Sequence, residues 1–244
     1  MGKYKEVFKR MEIKYLIDKT QYDGLMAYLE TIAKVDEYGL SRINNIYFDT
    51  PDYKLIRESI EKPLYKEKLR LRTYGKTDNN TNSFIEIKKK FDKVVYKRRI
   101  SGKYSDTYAY LTGKSHNIKD SQVGREIEAF LDTYENLRPA VMISYDRIAM
   151  AGITDPELRI TFDSNIQWDT DTLDLREDNK GQQILEPNQF LMEIKVSKAM
   201  PLGLSRKMSQ LGIFPVSFSK YGRAYAKIFN QSDLYNMSLE EVLD

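Results

Sequence analysis

Lys66-Glu67-Lys68-Leu69-Arg70-Leu71-Arg72 alternates charged and aliphatic side chains along its length. Side chains two apart share a face of a β-strand, so Lys68, Arg70 and Arg72 project one way and Leu69 and Leu71 the other. The same reading extends outward in both directions. FIEIKKK (84–90) sets Glu86, Lys88 and Lys90 against Ile85 and Ile87. VVYKRRI (94–100) aligns Lys97 with Arg99, and ISYDRIA (143–149) aligns Tyr145 with Arg147. LRITFD (158–163) places Arg159, Thr161 and Asp163 opposite Leu158, Ile160 and Phe162. MEIKV (192–196) sets Glu193 and Lys195 against Met192, Ile194 and Val196, and MEIKYL (11–16) repeats this with Glu12 and Lys14. Seven stretches thus read as strands with one charged face.

Amphipathic helices lie between them. Residues 20–33 carry Tyr22, Leu25, Met26, Leu29 and Ile32 on one stripe, with Thr20 as the expected N-cap and Asp23 three residues on. Residues 121–137 repeat the pattern and end before Pro139, and shorter helices are expected near 201–211 and 221–229. The polar stretches 76–83 and 176–183 read as loops. No repeat or long linker divides the chain, so residues 1–244 are expected to form one domain.

Composition narrows the chemistry. The 244 residues are 41% hydrophobic and 31% charged, which suits a soluble globular protein, and no apolar run approaches the length of a membrane span. MGKYKEVFKR (1–10) lacks the apolar stretch of a secretory signal, so a cytoplasmic location is expected. There is no cysteine, and the single histidine, His116, stands in a polar stretch. Disulfides, thiolate metal sites and a serine–histidine triad are therefore excluded. Any metal would be held by carboxylate oxygens, which favours magnesium or manganese.

The seven charged faces hold eleven bases (Lys14, Lys68, Arg70, Arg72, Lys88, Lys90, Lys97, Arg99, Arg147, Arg159, Lys195). Only four acids oppose them, Glu12, Glu86, Asp163 and Glu193, while the whole chain has a formal charge of +3. An ordinary half-exposed sheet would turn this face to water, but a solvated face usually mixes signs so that neighbours across strands attract. The helices supply a second argument, since their apolar stripes can cover the apolar faces from outside. A sheet of about eight strands can then close into a barrel wide enough to hold a ligand. The expectation is an α+β fold, a closed antiparallel eight-stranded barrel with helices packed outside and a basic interior. Uncompensated buried cations repel, and a chain of phosphates relieves this through charge-assisted hydrogen bonds. A nucleic-acid surface fits less well, because the bases alternate with aliphatics at strand spacing rather than lying on an exposed aromatic stripe.

Taken in order, Glu12-x-Lys14, NIYFDT (45–50), KLRLRTYG (68–75), EIKKK (86–90), YKRR (96–99), SYDR (144–147), LRITFD, MEIKV and SFSKYG (217–222) resemble the VTC domain. This is the polyphosphate-polymerase domain of the vacuolar transporter chaperone complex and its stand-alone bacterial relatives, within the triphosphate tunnel metalloenzymes related to CYTH proteins. The resemblance spans roughly residues 8–230. It implies a tunnel in which ATP binds with a divalent metal, Mn2+ or Mg2+, and gives its γ-phosphate to a growing inorganic polyphosphate chain. It further implies phosphate contacts from Lys14, Arg70, Arg72, Lys88, Lys97, Arg147 and Lys220, with Glu193 on the metal. Of these, only Lys220 rests on the motif match alone.

In the mechanism expected from this, Arg70, Arg72, Lys88 and Arg147 clamp the triphosphate while Lys14 and Lys97 neutralise the transferred group. Lys68, Lys90, Arg99, Arg159 and Lys195 extend the phosphate path. Tyr145 is a candidate contact, with packing at the rim as its alternative. Glu12 and Glu86 are either further metal ligands or partners that hold the lysines in place. The wider superfamily's triphosphatases open with E-x-E-x-K, whereas Arg10 stands in the first acidic place here. That departure favours polymerisation over hydrolysis of inorganic, nucleoside or thiamine triphosphate; a non-catalytic polyphosphate binder would need the same cations. ATP and polyphosphate are the expected partners, without nucleic acid and without direct membrane insertion, a membrane-protein partner remaining open.

Overall fold

A computed structural model describes residues 11–61, 63–92, 94–116, 120–197 and 199–230, so Arg10 lies outside the described residues. All seven alternating stretches are strands: β1 (Met11–Ile17), β3 (Tyr65–Tyr74), β4 (Asn82–Phe91), β5 (Val94–Lys103), β6 (Arg138–Gly152), β7 (Arg159–Asp169) and β9 (Phe190–Val196). Two more join them, the long β2 (Ala33–Asp49) and the two-residue β8 (Gln182–Gln183). They form one antiparallel sheet of nine strands in the order β1-β9-β7-β6-β2-β3-β4-β5, with β8 added to β7. β2 shows no alternation because Ile43 through Asp49 is buried on both faces of the sheet.

The expected closed barrel of eight strands is not formed. The free side of β1 is occupied by the segment that follows the fifth helix: Val216 N donates to Lys14 O at 2.8 Å, and Tyr15 bridges Pro215. Proline has no amide hydrogen and cannot extend a ladder. At the other end β5 pairs, among the described residues, only with β4, and its residues are mostly exposed. The sheet still curls far enough that Glu12 on β1 and Lys88 on β4 act on each other's charge. Its concave face is a cup with an open seam.

Among the described residues, five of the six helices flank this sheet much as amphipathic patterning requires. α1 (Lys19–Ile32) begins earlier than expected, because Asp18 rather than Thr20 is its N-cap. Asp18 Oδ1 accepts from Gln21 N at 2.8 Å, and Gln21 Oε1 accepts from Asp18 N at 3.1 Å, a reciprocal capping box. With α5 (Leu202–Gln210), α1 covers the convex side of β1, β9 and β7 through Leu25, Leu29, Leu204 and Met208. α3 (Tyr104–Leu111) and α4 (Gln122–Thr133) cover Leu69, Leu71, Ile85 and Ile87. α4 stops short of residue 137, where Tyr134 leaves the helix and its hydroxyl donates to Glu67 at 2.7 Å. The short α2 (Lys54–Ile60) and α3 were not foreseen.

The expectation that every helix lies outside fails for α6 (Lys220–Ile228). Its Tyr221, Ala224 and Tyr225 pack on Tyr47, Val141, Ile143 and Tyr145, which project from the concave face. That face is charged at one end and apolar at the other, so an amphipathic helix has a surface to bury there, each large side chain contributing ~1.5–3 kcal/mol. The Tyr221 hydroxyl donates to Asp49 Oδ2 at 2.8 Å, and Asp49 also accepts from the amides of Leu55 and Ile56, tying α6 to the start of α2. Among the described residues no helix is long and apolar enough to cross a membrane.

Candidate functional site

Strand register sets the cup. Across β3, β4 and β5, Arg70 faces Glu86 and Arg99, while Lys68 faces Lys88 and Lys97. Glu86 is the hub: Oε2 accepts from Arg70 Nε at 2.7 Å, Lys97 Nζ lies 2.7 Å from Oε1, and Arg72 Nε stands 3.8 Å away. Burial alone would raise the Glu86 carboxyl, but the three cations outweigh it and hold the pKa at about 2. Both arginines are also fixed from β2. Arg70 Nη1 donates to the Tyr47 hydroxyl at 3.2 Å, and Arg72 Nε donates to Asn45 Oδ1 at 2.8 Å. Arg72 Nη2 reaches the Tyr145 hydroxyl at 3.2 Å.

The opposite wall, from β6, β7, β9 and β1, is a closed knot of charges. Arg147 holds Asp163 through two bonds of 2.5 and 2.7 Å. Lys220, delivered by the first turn of α6 behind its N-cap Ser219, lies 2.5 Å from Asp163 and 3.6 Å from Glu193. Arg147 and Lys14 approach Glu193 at 3.9 and 4.0 Å. Burial acts to raise Asp163 and Glu193, yet Lys220, Arg147 and, for Glu193, Lys14 pull both carboxyls below their usual range. Tyr145 lies beneath this knot, with Lys220 4.5 Å and Arg147 5.2 Å from its ring centre. Arg72, Arg147 and Lys220 lower its hydroxyl despite burial.

Between the two walls the compensation fails. Among the described residues no carboxylate lies within 4.0 Å of Lys68 or Lys88; Lys68 donates only to Ser219 Oγ, at 3.3 Å. Enclosure by protein first, then the neighbouring Lys66, Lys88, Lys14 and Arg70, bring Lys68 down to about 7. Solvent reaches Lys88 inside the cup, yet the surrounding walls exclude enough bulk water to bring it to about 8, with Glu12 pulling the other way. Converging ammonium groups with no carboxylate in contact attract an anion of several charges.

The cup brings together Lys14, Lys68, Arg70, Arg72, Lys88, Lys97, Arg147, Lys220, Tyr145, Glu12, Glu86 and Glu193. Four expected residues sit toward its rim. Arg159 pairs with Asp36 at 3.6 Å, Lys195 with Glu12 at 3.5 Å, Arg99 stacks 4.9 Å from the Phe84 ring, and Lys90 pairs with Val95 in register. Sequence reasoning passed over Asn45, Tyr47 and Ser219. Asn45 and Tyr47 share a face within NIYFDT, and a serine just before Lys220 is an N-cap signal.

The carboxylates differ in fitness for a metal. Among the described residues no three acidic or histidine side chains form a cage. Glu12 and Glu193 are close enough for each to raise the other's proton affinity, and offer two hard oxygen donors facing the cup. Such a pair fits magnesium or manganese that brings water and phosphate oxygens as its other ligands. Glu86 does not fit, since it is 1% exposed and both oxygens are engaged by Arg70 and Lys97.

The sequence matches the VTC domain family over residues 9–229. No curated protein matches it. Among solved structures the chain is similar to a candidate adenylate cyclase from Bacillus halodurans, 15% identical, with 86% of this chain and 93% of that one covered and a TM-score of 0.52. It is also similar to a candidate adenylyl cyclase from Hippeastrum with dominant triphosphatase activity, 14% identical, covering 88% and 95% respectively at a TM-score of 0.51. At such identities the likeness is one of fold.

Proposed function

The chain belongs to the VTC domain family, and from that premise we propose that it transfers the γ-phosphate of ATP to the end of an inorganic polyphosphate chain held in the cup. The observation that supports this best is the pair Lys68 and Lys88, cationic groups with no carboxylate within 4.0 Å among the described residues, beside Arg70 and Lys14. Phosphoryl transfer asks the protein mainly for positioning and charge neutralisation.

Arg70 and Arg72, already oriented by Glu86, Tyr47 and Asn45, grip the phosphates without losing further side-chain freedom. Arg147 commits Nε and Nη2 to Asp163 and turns Nη1 to a phosphate oxygen. Lys88, Lys14 and Lys97 neutralise oxygens around the transferred group, and Lys68 extends the path. A terminal oxygen of the acceptor chain attacks the γ-phosphorus, the bond to the β–γ bridging oxygen breaks, and the electron pair leaves with ADP. The acceptor phosphate is already ionised near neutral pH, so no general base is assigned. Glu193 and Glu12 would hold a divalent metal, which when bound would supply positive charge that neutralises the triphosphate. Glu86 serves instead to aim Arg70 and Lys97.

Hydrolysis is the second reading, because solvent reaches Lys88 and a water there has the access of an acceptor phosphate. The test is incubation of purified protein with ATP and manganese, resolving products by chain length. Long polyphosphate that disappears in Lys88→Ala is the expected result. Free phosphate without chains would move the assignment to a triphosphatase.

A further inference from the structure

The concave face of β3–β5 changes character one step beyond Arg72 and Glu86. Arg72 pairs in register with Phe84, and Tyr74 follows Arg72 on the same face. The Tyr74 and Phe84 rings meet edge to face, 5.8 Å apart at 81°. The Arg99 guanidinium lies 4.9 Å from the Phe84 ring centre and that of Arg72 6.0 Å from Tyr74. These are not core residues: Tyr74 is 43% exposed, Phe84 is half-buried and Arg99 is exposed. Beside them opens a groove of ≈ 350 Å³ lined by Phe84, Arg99, Ile100, Ser101, Ser121 and Val123.

A phosphate chain has no use for such a surface, because aromatic faces carry negative potential. A nucleobase does, since it stacks on aromatic rings and on guanidinium planes. The other concave aromatics near the site, Tyr47, Tyr145 and Tyr221, are buried and unavailable for stacking. We infer that Tyr74, Phe84 and Arg99 form a base-stacking platform at the mouth of the cup, which makes a nucleoside triphosphate, rather than inorganic triphosphate, the preferred donor. This rests on the phosphate-site reading above and adds an orientation to it. Phe84 and Lys88 are four residues apart on one strand face, about 13 Å at strand rise. A base at Phe84 therefore lays its phosphates past Arg72 and Arg70, with the γ-phosphate toward Lys88 and Lys14.

The experiment compares binding of ATP and of tripolyphosphate, each with magnesium, by calorimetry on the full chain. Phe84→Leu keeps the apolar bulk and Tyr74→Ala removes only an exposed ring. Both are expected to weaken ATP roughly tenfold while changing tripolyphosphate less than twofold. Etheno-ATP fluorescence, quenched by stacking in the wild type, should recover in Phe84→Leu. Equal losses for the two ligands, or no loss for ATP, would overturn the platform. A wild type that binds tripolyphosphate at least as tightly as ATP overturns it too while leaving the phosphate site standing. Failure to bind either ligand removes the phosphate site and the platform with it.

Discussion

Two stretches of the concave wall carry the same kind of side chain to opposite effect. On β6, β7, β9 and α6, Arg147 and Lys220 close around Asp163, which is 0% exposed, and Glu193, so that every charge meets its opposite. On β3 and β4, Lys68 and Lys88 converge with no carboxylate within 4.0 Å among the described residues, and Glu12 acts on Lys88 only from farther off. Burying two opposite charges together is close to neutral, whereas burying one without its partner is expensive. The knot therefore holds α6 in the cup, and the lysine pair is a standing demand for an anion. Basic residues in a site do not form one class; those that a carboxylate already answers are held in place by the protein, whereas those without a close one depend on the ligand for their counter-charge.

The strongest way to break this contrast is to remove one acid and one base. Asp163→Asn leaves the largely buried Arg147 and Lys220 without their main partner, and is expected to cost ~3–5 kcal/mol in urea unfolding. Lys88→Met removes a repelled charge, so the unfolding midpoint should hold or rise. Its affinity for polyphosphate should fall roughly tenfold or more, the loss of a charge-assisted bond worth ~1.5–3 kcal/mol. If both variants lose stability alike, Lys88 belongs to the scaffold and the distinction collapses.

Titration sharpens the same contrast at opposite ends of the pH scale. Lys68 and Lys88 sit at about 7 and about 8 in the fold against an ordinary 10.5, so between these values the unfolded chain binds more protons than the folded one. Stability of the ligand-free protein should therefore climb from pH 7 toward pH 10. Phosphate affinity should fall over the same range, because the charged ammonium is the binding form. The acids act the other way. Asp163, Glu193 and Glu86 are held below their ordinary values, so their contribution is full above pH 5 and drains away toward pH 2. Unfolding and tripolyphosphate binding measured from pH 2 to pH 10 check both signs; affinity that is flat between pH 7 and pH 9 would count against the lysine pair.

Much of this contrast could be seen in the sequence and part could not. The alternation in KLRLR, EIKKK and MEIKV placed Lys68, Arg70, Lys88 and Glu193 on one face, because period two is a property of any strand. β2 was hidden because INNIYFD (43–49) is buried on both sides, one under α6 and one under the convex helices, which erases alternation. Closure was misjudged because nothing in a strand's own pattern says that Val216 will occupy its edge. The place of α6 was unreadable for a related reason. The stripe of Tyr221, Ala224 and Tyr225 tells which side of the helix is apolar, not which side of the sheet will receive it. Which lysine finds an acid depends on register and on contacts between distant elements: Lys220 meets Asp163 and Glu193, whereas Lys68 has no carboxylate within 4.0 Å among the described residues.

The smallest expected effect concerns salt, and it separates the two regions by access to solvent rather than by charge. Any stabilisation gained in Lys88→Met comes from relief of repulsion through a cup that water enters, about 1 kcal/mol or less at low ionic strength. The screening length shrinks from about 10 Å at 0.1 M salt to about 3 Å at 1 M, so most of that gain should vanish over this range. The penalty of Asp163→Asn should barely move, since mobile ions cannot come between Arg147 and a carboxylate with no exposed surface. Urea titrations of the wild type and both variants at the two salt concentrations decide the matter. A Lys88→Met gain that persists at 1 M would mean that its ammonium is sealed from ions, and an anion could then enter only if the seam between β1 and β5 opened.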